Sequence, residues 1–427
     1  MKLRSPSIRA SCTRVLATTS RHGADKLSRN RDGLTSFWRA NYDPEVVIGA
    51  PKAGGGSFAR RYPADSEQRP PNHGGRLVRF VLGRPPHARS PRLMLTAEFD
   101  YELPESAIAQ VPAEPRDGSR LLRTEDRSDH RFRDLPNLLM PGDLLVLNDT
   151  KVRAARLVGR KAGSGGTVEL LLLKRLTEDR WQAMVRPARR LGPGVEIDCN
   201  DLQAVIEDRP VDGIATVLLK SAGDPEEAIA RTGTVPLPPY INVPLSEPER
   251  YQTVFASRVG SAAAPTAGLH FTAALFDDLR VRGIETATVD LEVGLDTFRP
   301  IATHSVEEHR IHAERFRVSE ATAQSINAAK ADGRRVVAVG TTAVRVLETT
   351  GAGGRVDPRE GASDLFIVPG HHFAIVDVLI TNFHAPRSSL LCLVAAMLGP
   401  SWRKVYETAL ERGYRFLSFG DAMLIES

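Results

Sequence analysis

Cysteine is scarce in this chain. Its 427 residues include 3 cysteines, Cys12, Cys199 and Cys392, which lie far apart in the sequence. They form no CxxC pair and show no metal-ligand spacing, which argues against a disulfide scaffold and against a zinc site. Cys392 lies in an apolar helical pattern and is predicted to be a core thiol. This cysteine usage favours a reducing, cytoplasmic location.

Long apolar runs and nucleotide-binding loops are also missing. The longest apolar run near the C-terminus, "LLCLVAAMLG", is about half the length that a membrane-spanning helix needs. No GxGxxG follows a predicted strand, and neither a P-loop pattern nor a GxSxG elbow occurs. These absences argue against membrane insertion, dinucleotide binding, P-loop chemistry and serine hydrolysis.

The positive charge is concentrated in the N-terminal segment. Residues 1–93 hold 18 Lys and Arg against 6 Asp and Glu, a net charge of +12, whereas the other residues hold 39 against 46, a net charge of −7. This segment is rich in Arg, Pro, Gly and Ser without helical or strand periodicity, and we expect a disordered or spurious extension with translation starting near Met94. A targeting segment or an RNA-binding tail is the alternative. Because the rest of the chain is mildly acidic, global charge gives no argument for nucleic-acid binding.

The remaining sequence divides into two patterns. Between Arg156 and about Thr234, short apolar runs alternate with Gly, Pro, Asp and Asn turns, which favours a small antiparallel barrel or sandwich. After Tyr240, helical and strand patterns alternate, as in an α/β domain with a largely parallel sheet. We therefore predict an α/β main domain over 94–155 and 239–427, with the β-rich domain inserted over 156–238.

Several elements of the α/β domain are predicted from local patterns. "TAALFDDLRVRG" is predicted to be a helix with Thr272 as N-cap and Gly283 just past its end. The apolar runs in "RRVVAVG" and "FAIVDVLITNF" predict buried strands, and "YRFLSFGDAMLI" predicts a C-terminal strand.

Three polar clusters follow predicted strands or precede helices. They are "SAAAPTAGLHFT" (261–272), "GTT" (340–342) and "NFHAPRS" (382–388). Ligands collect at the carboxyl ends of strands in open α/β sheets, and helix N-termini attract carboxylates and phosphates. Taken alone, each cluster also has a structural explanation: a tight packing corner, a plain Thr N-cap or a surface turn.

Further segments contain residue types that are typical of metal sites or of RNA-binding surfaces. "HSVEEHRIHAERF" groups His304, His309, His312 and Glu314, but the spacing fits neither HExxH nor a zinc finger, so no metal site is predicted. Basic residues concentrate in "KVRAARLVGRK" (151–161) and "RPARR" (186–190). The basic residues of these two segments are predicted either to lie at solvated strand ends or to contact RNA phosphates.

Many ordered motifs together resemble one family. They include "FDYELPESAIAQVPAEPRDGSRLL", "LNDTKVRAARL", "AAPTAGLHFT", "HRIHAE", "VAVGTTAVRVLE", "VDVLITNFHAPRSSLLCLVAAMLG" and "YRFLSFGDAMLI", and they span about Phe99 to Ile425. The chain resembles the S-adenosylmethionine:tRNA ribosyltransferase-isomerases of queuosine biosynthesis. This resemblance implies an α/β domain that carries a six-stranded β-barrel domain.

The resemblance also implies an activity. The expected enzyme moves the ribosyl part of S-adenosylmethionine onto 7-aminomethyl-7-deazaguanine at the wobble position of tRNA. It isomerises the sugar to give epoxyqueuosine, and adenine and methionine leave. S-adenosylmethionine is then a co-substrate and tRNA the partner, and we expect no metal, no membrane contact and a monomer.

Site residues are assigned as hypotheses under this resemblance. Proton transfer is assigned to His270 or His384, and Asp421 is expected to accept a hydrogen bond from substrate. The residues expected to bind the co-substrate are Thr266, Gly268, Thr341, Thr342, Arg345 and Asn382. The residues expected to contact RNA are Arg153, Arg156, Arg186, Arg189 and Arg190.

The chain departs from the family pattern in two motifs. In one of them, "HRIHAE" stands where the family usually has "HxMHSE". The other motif carries two changes. "LEVGLDTF" places Glu292 where the family usually has His, and Asp296 where it has Gly. A His-to-Glu change reverses acid–base character, and a Gly-to-Asp change matters where the backbone needs a positive φ. A diverged, non-catalytic tRNA-binding homologue is therefore the alternative interpretation. A methyltransferase is disfavoured because its Gly-rich loop is missing.

Overall fold

The computed structural model describes residues 93–294 and 300–426. The predicted extension over 1–93 lies outside the described residues except for Leu93, and so does Asp296. In the part that is described, no helix is both long and apolar enough to cross a membrane.

Seventeen strands are described. They are β1 (Arg120–Arg123), β2 (Asp129–Arg131), β3 (Leu144–Asn148), β4 (Thr150–Val152), β5 (Arg156–Lys161), β6 (Thr167–Arg175), β7 (Arg180–Arg186), β8 (Glu196–Cys199), β9 (Leu202–Ile206), β10 (Ile214–Ser221), β11 (Arg258–Ser261), β12 (Glu285–Leu291), β13 (Glu314–Val318), β14 (Val336–Val339), β15 (Arg359–Ser363), β16 (Val378–Asn382) and β17 (Ala422–Glu426).

In the described residues, seven α-helices accompany these strands. They are α1 (Leu135–Leu138), α2 (Pro225–Thr232), α3 (Ala273–Val281), α4 (Glu320–Ala331), α5 (Thr341–Thr350), α6 (Ser389–Leu398) and α7 (Trp402–Glu411).

Nine strands form one sheet in the order β15-β13-β12-β3-β14-β16-β17-β1-β2. The central strands β12, β3, β14 and β16 are parallel, and β17 is antiparallel to β16 but parallel to β1. Strands β14 and β16 are buried along their whole length, as expected for a sheet covered on both faces. The predicted α/β domain is confirmed. The C-terminal strand is shorter than its sequence pattern indicated, because residues 414–421 form an irregular segment before β17, with Phe416 in an isolated bridge to Ile108.

The β-rich segment closes into a six-stranded antiparallel barrel in the order β10-β7-β6-β5-β8-β9. Its strands alternate buried and exposed positions, so inward side chains such as those of Leu170, Trp181 and Val217 fill a core of their own. The predicted barrel is therefore confirmed, whereas the domain boundaries at 155 and 239 stay a prediction.

Polar N-caps fix where the helices begin. Thr272 accepts a hydrogen bond from the backbone N–H of Leu275 at the start of α3, as predicted, and Ser388 does the same for Leu391 at the start of α6. Gly283 follows α3 with φ +76°, a conformation that suits glycine. Because α3 and α6 begin at the carboxyl edge of the central strands, their preceding loops carry the polar clusters to that edge.

Two apolar clusters lie on the two faces of the sheet. The first face holds Val339 and Ile380 with Ala267 and Phe271 from the segment before α3. The second face holds Ala338 and Leu379 with apolar side chains from α4, α5, α6 and α7. Because neighbouring side chains of a strand point to opposite faces, the side chains of the last two residues of β16 lie on different faces of the sheet.

Candidate functional site

His270 ends a 3-10 turn, Thr266–His270, on the first face of the sheet. Its Nδ1 lies 2.8 Å from Ser119 Oγ, and its Nε2 lies 3.2 Å from Asn382 Nδ2. The ring of Phe132 stacks on the imidazole with a centroid distance of 4.8 Å. Both ring nitrogens therefore have partners, and the ring orientation is fixed.

The partners of His270 also define its tautomer. Asn382 Oδ1 accepts a hydrogen bond from the Thr266 hydroxyl at 2.8 Å, so the amide NH2 faces the imidazole. An amide N–H donates, so Nε2 must accept, and Nδ1 carries the hydrogen that Ser119 accepts. Burial lowers the pKa of His270 from 6.5 to about 4, while the nearby Asp421 carboxylate opposes this shift. His270 is thus neutral at physiological pH with Nε2 as its basic atom.

Asn382 is the last residue of β16 and points to the first face, together with His270 and Thr266. Three of the predicted site residues therefore form one hydrogen-bonded group. Ser119, which completes the group, was not predicted. Ser119 lies in the quoted "RDGSRLL" motif, but it is 151 positions away from His270 in the sequence. The contact between the two residues therefore cannot be predicted from either local segment.

His384 occupies different surroundings. Its Nε2 lies 3.0 Å from the hydroxyl of Thr381, whose side chain points to the second face of the sheet. The backbone around it is held by Tyr101, which donates to the His384 carbonyl, and by Tyr406, which accepts from its N–H. Burial lowers the pKa of His384 to about 3. In the described structure His270 and His384 share no hydrogen bond, so they are not arranged as a catalytic pair.

Asp421 is buried and already bound by the protein. Its carboxylate accepts hydrogen bonds from the backbone N–H of Arg120 at 3.0 Å and of Arg415 at 2.8 Å. The Arg415 guanidinium lies 3.4 Å from the same carboxylate. These bonds tie the start of β1 to the turn before β17, which favours a structural role over the predicted contact with substrate.

The segment "GTT" forms the N-terminus of α5. Gly340 is the N-cap, at φ +85° and ψ 155°, so the capping residue is glycine rather than threonine. Thr341 and Thr342 begin the helix and are both buried. The Thr342 hydroxyl oxygen has no hydrogen-bond partner, although it is shielded from solvent. A helix N-terminus with an unpartnered hydroxyl is an arrangement that accommodates an anionic group.

Arg345 belongs to a buried ion pair rather than to an open anion site. One guanidinium nitrogen contacts the Glu314 carboxylate, and the others donate to the carbonyls of Ser363 at 3.0 Å and Leu365 at 3.2 Å. Glu314 also accepts a hydrogen bond from the Gly294 N–H at 2.8 Å. The charge of Arg345 is therefore matched within the protein, which argues against its predicted role in binding the co-substrate.

Gly268 has an internal reason to be glycine. A Cβ at this position would lie 2.7 Å from Phe255 Cζ and 2.9 Å from Thr253 Cγ2. A side chain there would clash with apolar packing. Ala267 packs likewise against the turn at Gly340, where an added Cβ would lie 3.5 Å from Ala267 Cβ. The small residues of this segment are thus explained at least partly by close packing between the 3-10 turn and the α5 N-terminus.

The "HRIHAERF" segment gathers no metal ligands. Glu314 is engaged by Arg345, and His309 meets the ring of Phe366 edge-on at 5.4 Å. Across residues 93–294 and 300–426, no group of three or more His, Cys, Asp and Glu side chains is placed to hold a metal ion.

Glu292, the first departure from the family pattern, lies near the carboxylate of Asp290. Burial raises the pKa of Asp290 to about 6, and the negative charges of Asp149 and Glu292 add to this shift. The Glu292 side chain packs closely on Gly260, where an added Cβ would lie 2.9 Å from Glu292 Cγ. The second departure, Asp296, falls outside the described residues.

Five arginines were predicted to contact RNA. In the structure, two of them are paired within the protein, and the other three lie at the end of β7 and on the turn that follows it. Arg153 is bound to Glu226 and to the Gly260 carbonyl, and its guanidinium lies over the Trp181 ring at 4.7 Å. Arg156 makes two hydrogen bonds to Glu169. The charges of Arg153 and Arg156 are therefore matched within the protein. Arg186 ends β7, and Arg189 and Arg190 lie on an exposed 3-10 turn that follows it.

Comparison with known proteins gives consistent results. A family described as "Queuosine biosynthesis protein" matches residues 96–425. The chain is 52% identical over 343 residues to the S-adenosylmethionine:tRNA ribosyltransferase-isomerase of Heliobacterium modesticaldum, covering 78% of this chain and 100% of that relative. It is 50% identical over 340 residues to the protein of the same name from Symbiobacterium thermophilum, again covering 78% and 100%. The crystal structure of S-adenosylmethionine tRNA ribosyltransferase from Thermotoga maritima is 38% identical, with a TM-score of 0.43, covering 77% of this chain and 99% of that one.

Proposed function

The chain belongs to the family of queuosine biosynthesis proteins, and we propose that it is an S-adenosylmethionine:tRNA ribosyltransferase-isomerase. It transfers the ribosyl group of S-adenosylmethionine to 7-aminomethyl-7-deazaguanine at the wobble position of tRNA. The product is epoxyqueuosine, and adenine and methionine are released. The observation that carries this proposal is the family match over 96–425, which includes His270, Asn382, Thr341 and Thr342.

His270 is the proposed general base. The sulfonium charge acidifies the adjacent C–H of the sugar, so a modest base is sufficient to remove that proton. Nε2 of His270 is the basic atom, because Ser119 holds the hydrogen on Nδ1. Its contact with Asn382 is 3.2 Å long, a weak bond that a reacting C–H can replace.

The N-terminus of α5 is the proposed site for the methionine carboxylate. Free backbone N–H groups of the first turn and the unpartnered Thr342 hydroxyl supply donors there. Gly340 leaves this turn without a side chain, beside the 3-10 turn that carries His270. Carboxylate binding at this position therefore brings the reacting sugar towards His270.

The reaction balances without a further reagent. The amine of the target base forms a new N–C bond to the sugar carbon whose bond to the ring oxygen breaks. The carbon beside sulfur loses a proton and methionine, the anomeric carbon loses adenine, and these two carbons join to close the carbocycle while the former ring oxygen bridges them as the epoxide. Of the protons lost from the amine and the sugar, one is taken up by departing adenine, which donors near the leaving ring stabilise, and the other leaves to solvent.

Nucleoside analysis in cells tests the proposal. The full chain is expressed in a bacterial strain that lacks the family enzyme, and its tRNA nucleosides are digested and measured by mass spectrometry. We expect epoxyqueuosine or queuosine to appear. If soluble protein accumulates and the aminomethyl precursor persists unchanged, the chain is a non-catalytic homologue and the proposal is wrong.

A further inference from the structure

The barrel segment is electrically neutral as a whole but unevenly charged. Residues 156–238 contain 12 Lys and Arg and 12 Asp and Glu. Four arginines of the barrel segment are matched by a carboxylate at close range, as in Arg156 with Glu169 at 2.9 Å and Arg180 with Glu207 at 3.0 Å. Any positive surface must therefore come from cations that lack such a partner.

Four such cations gather at one end of the barrel, and we call them the barrel-end patch: Arg160, Lys161, Arg189 and Arg190. Lys161 Nζ donates to the backbone carbonyl of Arg190 at 3.2 Å, which places the end of β5 beside the turn that carries Arg189. Arg160 donates to the carbonyl of Gly165 at 3.2 Å. Within the described ranges, no carboxylate oxygen forms an ion pair with any of the four. Asp198 is the cross-strand neighbour of Arg160, and its carboxylate accepts the Asn200 N–H.

The patch has a rigid base and an open surface. Leu191, directly after the turn, is buried in the barrel core and anchors Arg189 and Arg190, which stay exposed. Two glycine turns flank the cations, and an added Cβ at Gly163, Gly165, Gly192 or Gly194 would meet nothing within 4 Å. A bulky polyanion can therefore approach the backbone as well as the side chains.

We infer that the barrel-end patch binds phosphate groups of the tRNA backbone, which rests on the proposed function that tRNA is the acceptor. Several exposed, unneutralised cations on one rim suit a repeating chain of anions, because each phosphate contact releases counterions. A single small anion needs convergent buried donors instead. This inference moves RNA binding from Arg153 and Arg156, whose charges are matched, to Arg160 and Lys161, which join Arg189 and Arg190.

Salt-dependent binding tests this inference. The probe is an unmodified tRNA transcript with a wobble guanosine, titrated with the full chain and with an Arg189→Ala/Arg190→Ala variant over a range of salt concentrations. The slope of log K against log salt is negative, and each lost phosphate contact reduces its magnitude by about 0.9 and weakens binding by up to about eightfold at 0.1 M salt. The double variant is therefore expected to bind tRNA more weakly, with a slope that is less negative by up to about 1.8.

The matched control is Arg156→Ala/Arg231→Ala, because both arginines are exposed on the same barrel but are paired with Glu169 and Asp201. We expect this control to keep the slope of the wild-type chain. An unchanged affinity and slope in the patch variant, at an unchanged melting temperature, contradicts the inference. An equal loss of tRNA affinity in the control variant also contradicts the inference, because the weaker binding then follows from removing any two positive charges of the barrel segment.

Product formation separates this inference from the proposed function. If the wild-type chain makes no epoxyqueuosine and only the patch variant loses tRNA affinity, tRNA binding by the barrel-end patch is supported and the proposed function is wrong. If product forms and the patch variant binds tRNA as tightly as the wild-type chain, the proposed function is supported and the inference about the patch is wrong.

Discussion

Removal of the Glu314 carboxylate is expected to destabilise the α/β domain strongly. Glu314 and Arg345 form a buried pair, with side-chain exposures of 8% and 7%. In Glu314→Ala, the Arg345 guanidinium stays buried and keeps only the carbonyls of Ser363 and Leu365 as partners. The Gly294 N–H also loses its acceptor.

The size of this effect follows from burial. Breaking a buried ion pair by removing one partner costs about 3–5 kcal/mol, because an uncompensated charge stays in the interior. The neighbouring pair Arg317–Glu360 provides a matched control, since it joins the same strand β13 to β15 but is exposed, at 42% and 70%. An exposed pair contributes about 0–1 kcal/mol.

Urea unfolding of both variants, followed by circular dichroism, measures the difference. We expect Glu314→Ala to lower the free energy of unfolding by several kcal/mol and Glu360→Ala to leave it nearly unchanged. Equal small losses in the two variants would refute the structural role of Arg345. In that case the guanidinium is available to bind the co-substrate, as the sequence predicted.

Substitutions at two other positions, Gly340 and His270, have specific expected effects on stability. Gly340→Ala forces a side chain into φ +85°, which costs about 1–3 kcal/mol. Its melting temperature and S-adenosylmethionine affinity should fall, whereas Gly353→Ala, where an added Cβ meets nothing within 4 Å, should match wild type. For His270, the folded pKa of about 4 lies below its usual 6.5, so the unfolded chain binds the proton more readily and stability is lost as the pH falls from about 6.5 to 4. This contributes about 3 kcal/mol. The variant His270→Gln should therefore reduce the dependence of the unfolding free energy on pH in that window, while the buried His384 keeps its own share of it. An unchanged slope contradicts the burial of a neutral imidazole at His270.

Local rules were sufficient to predict most of the fold. The Thr272 cap, the positive-φ Gly283 and the apolar runs of β14 and β16 are properties of short segments, and the structure has them where the sequence indicated. The antiparallel barrel also follows from local alternation and turns. The irregular segment over 414–421 was predicted as strand because its apolar residues pack in the core, as those of a strand would, although its backbone forms no continuous strand.

The site was only partly predictable, because its geometry depends on contacts between distant segments. Placing His270, Asn382 and Thr266 at one strand edge needs only the rule on carboxyl ends of strands. The partners that decide a residue's role lie far away: Ser119 is 151 positions from His270, and Glu226 is 73 positions from Arg153. Sequence shows which cations are present, but the pairing that leaves some of them unmatched is a property of the folded chain.

Transfer of labelled S-adenosylmethionine to tRNA tests the central claim most directly. The purified chain is incubated with tRNA that carries the aminomethyl precursor and with S-adenosylmethionine labelled either in the ribose or in the methyl group. We expect the ribose label to enter the wobble nucleoside while the methyl label leaves with free methionine. Methyl label in the tRNA, or no label from either form, would contradict the claim.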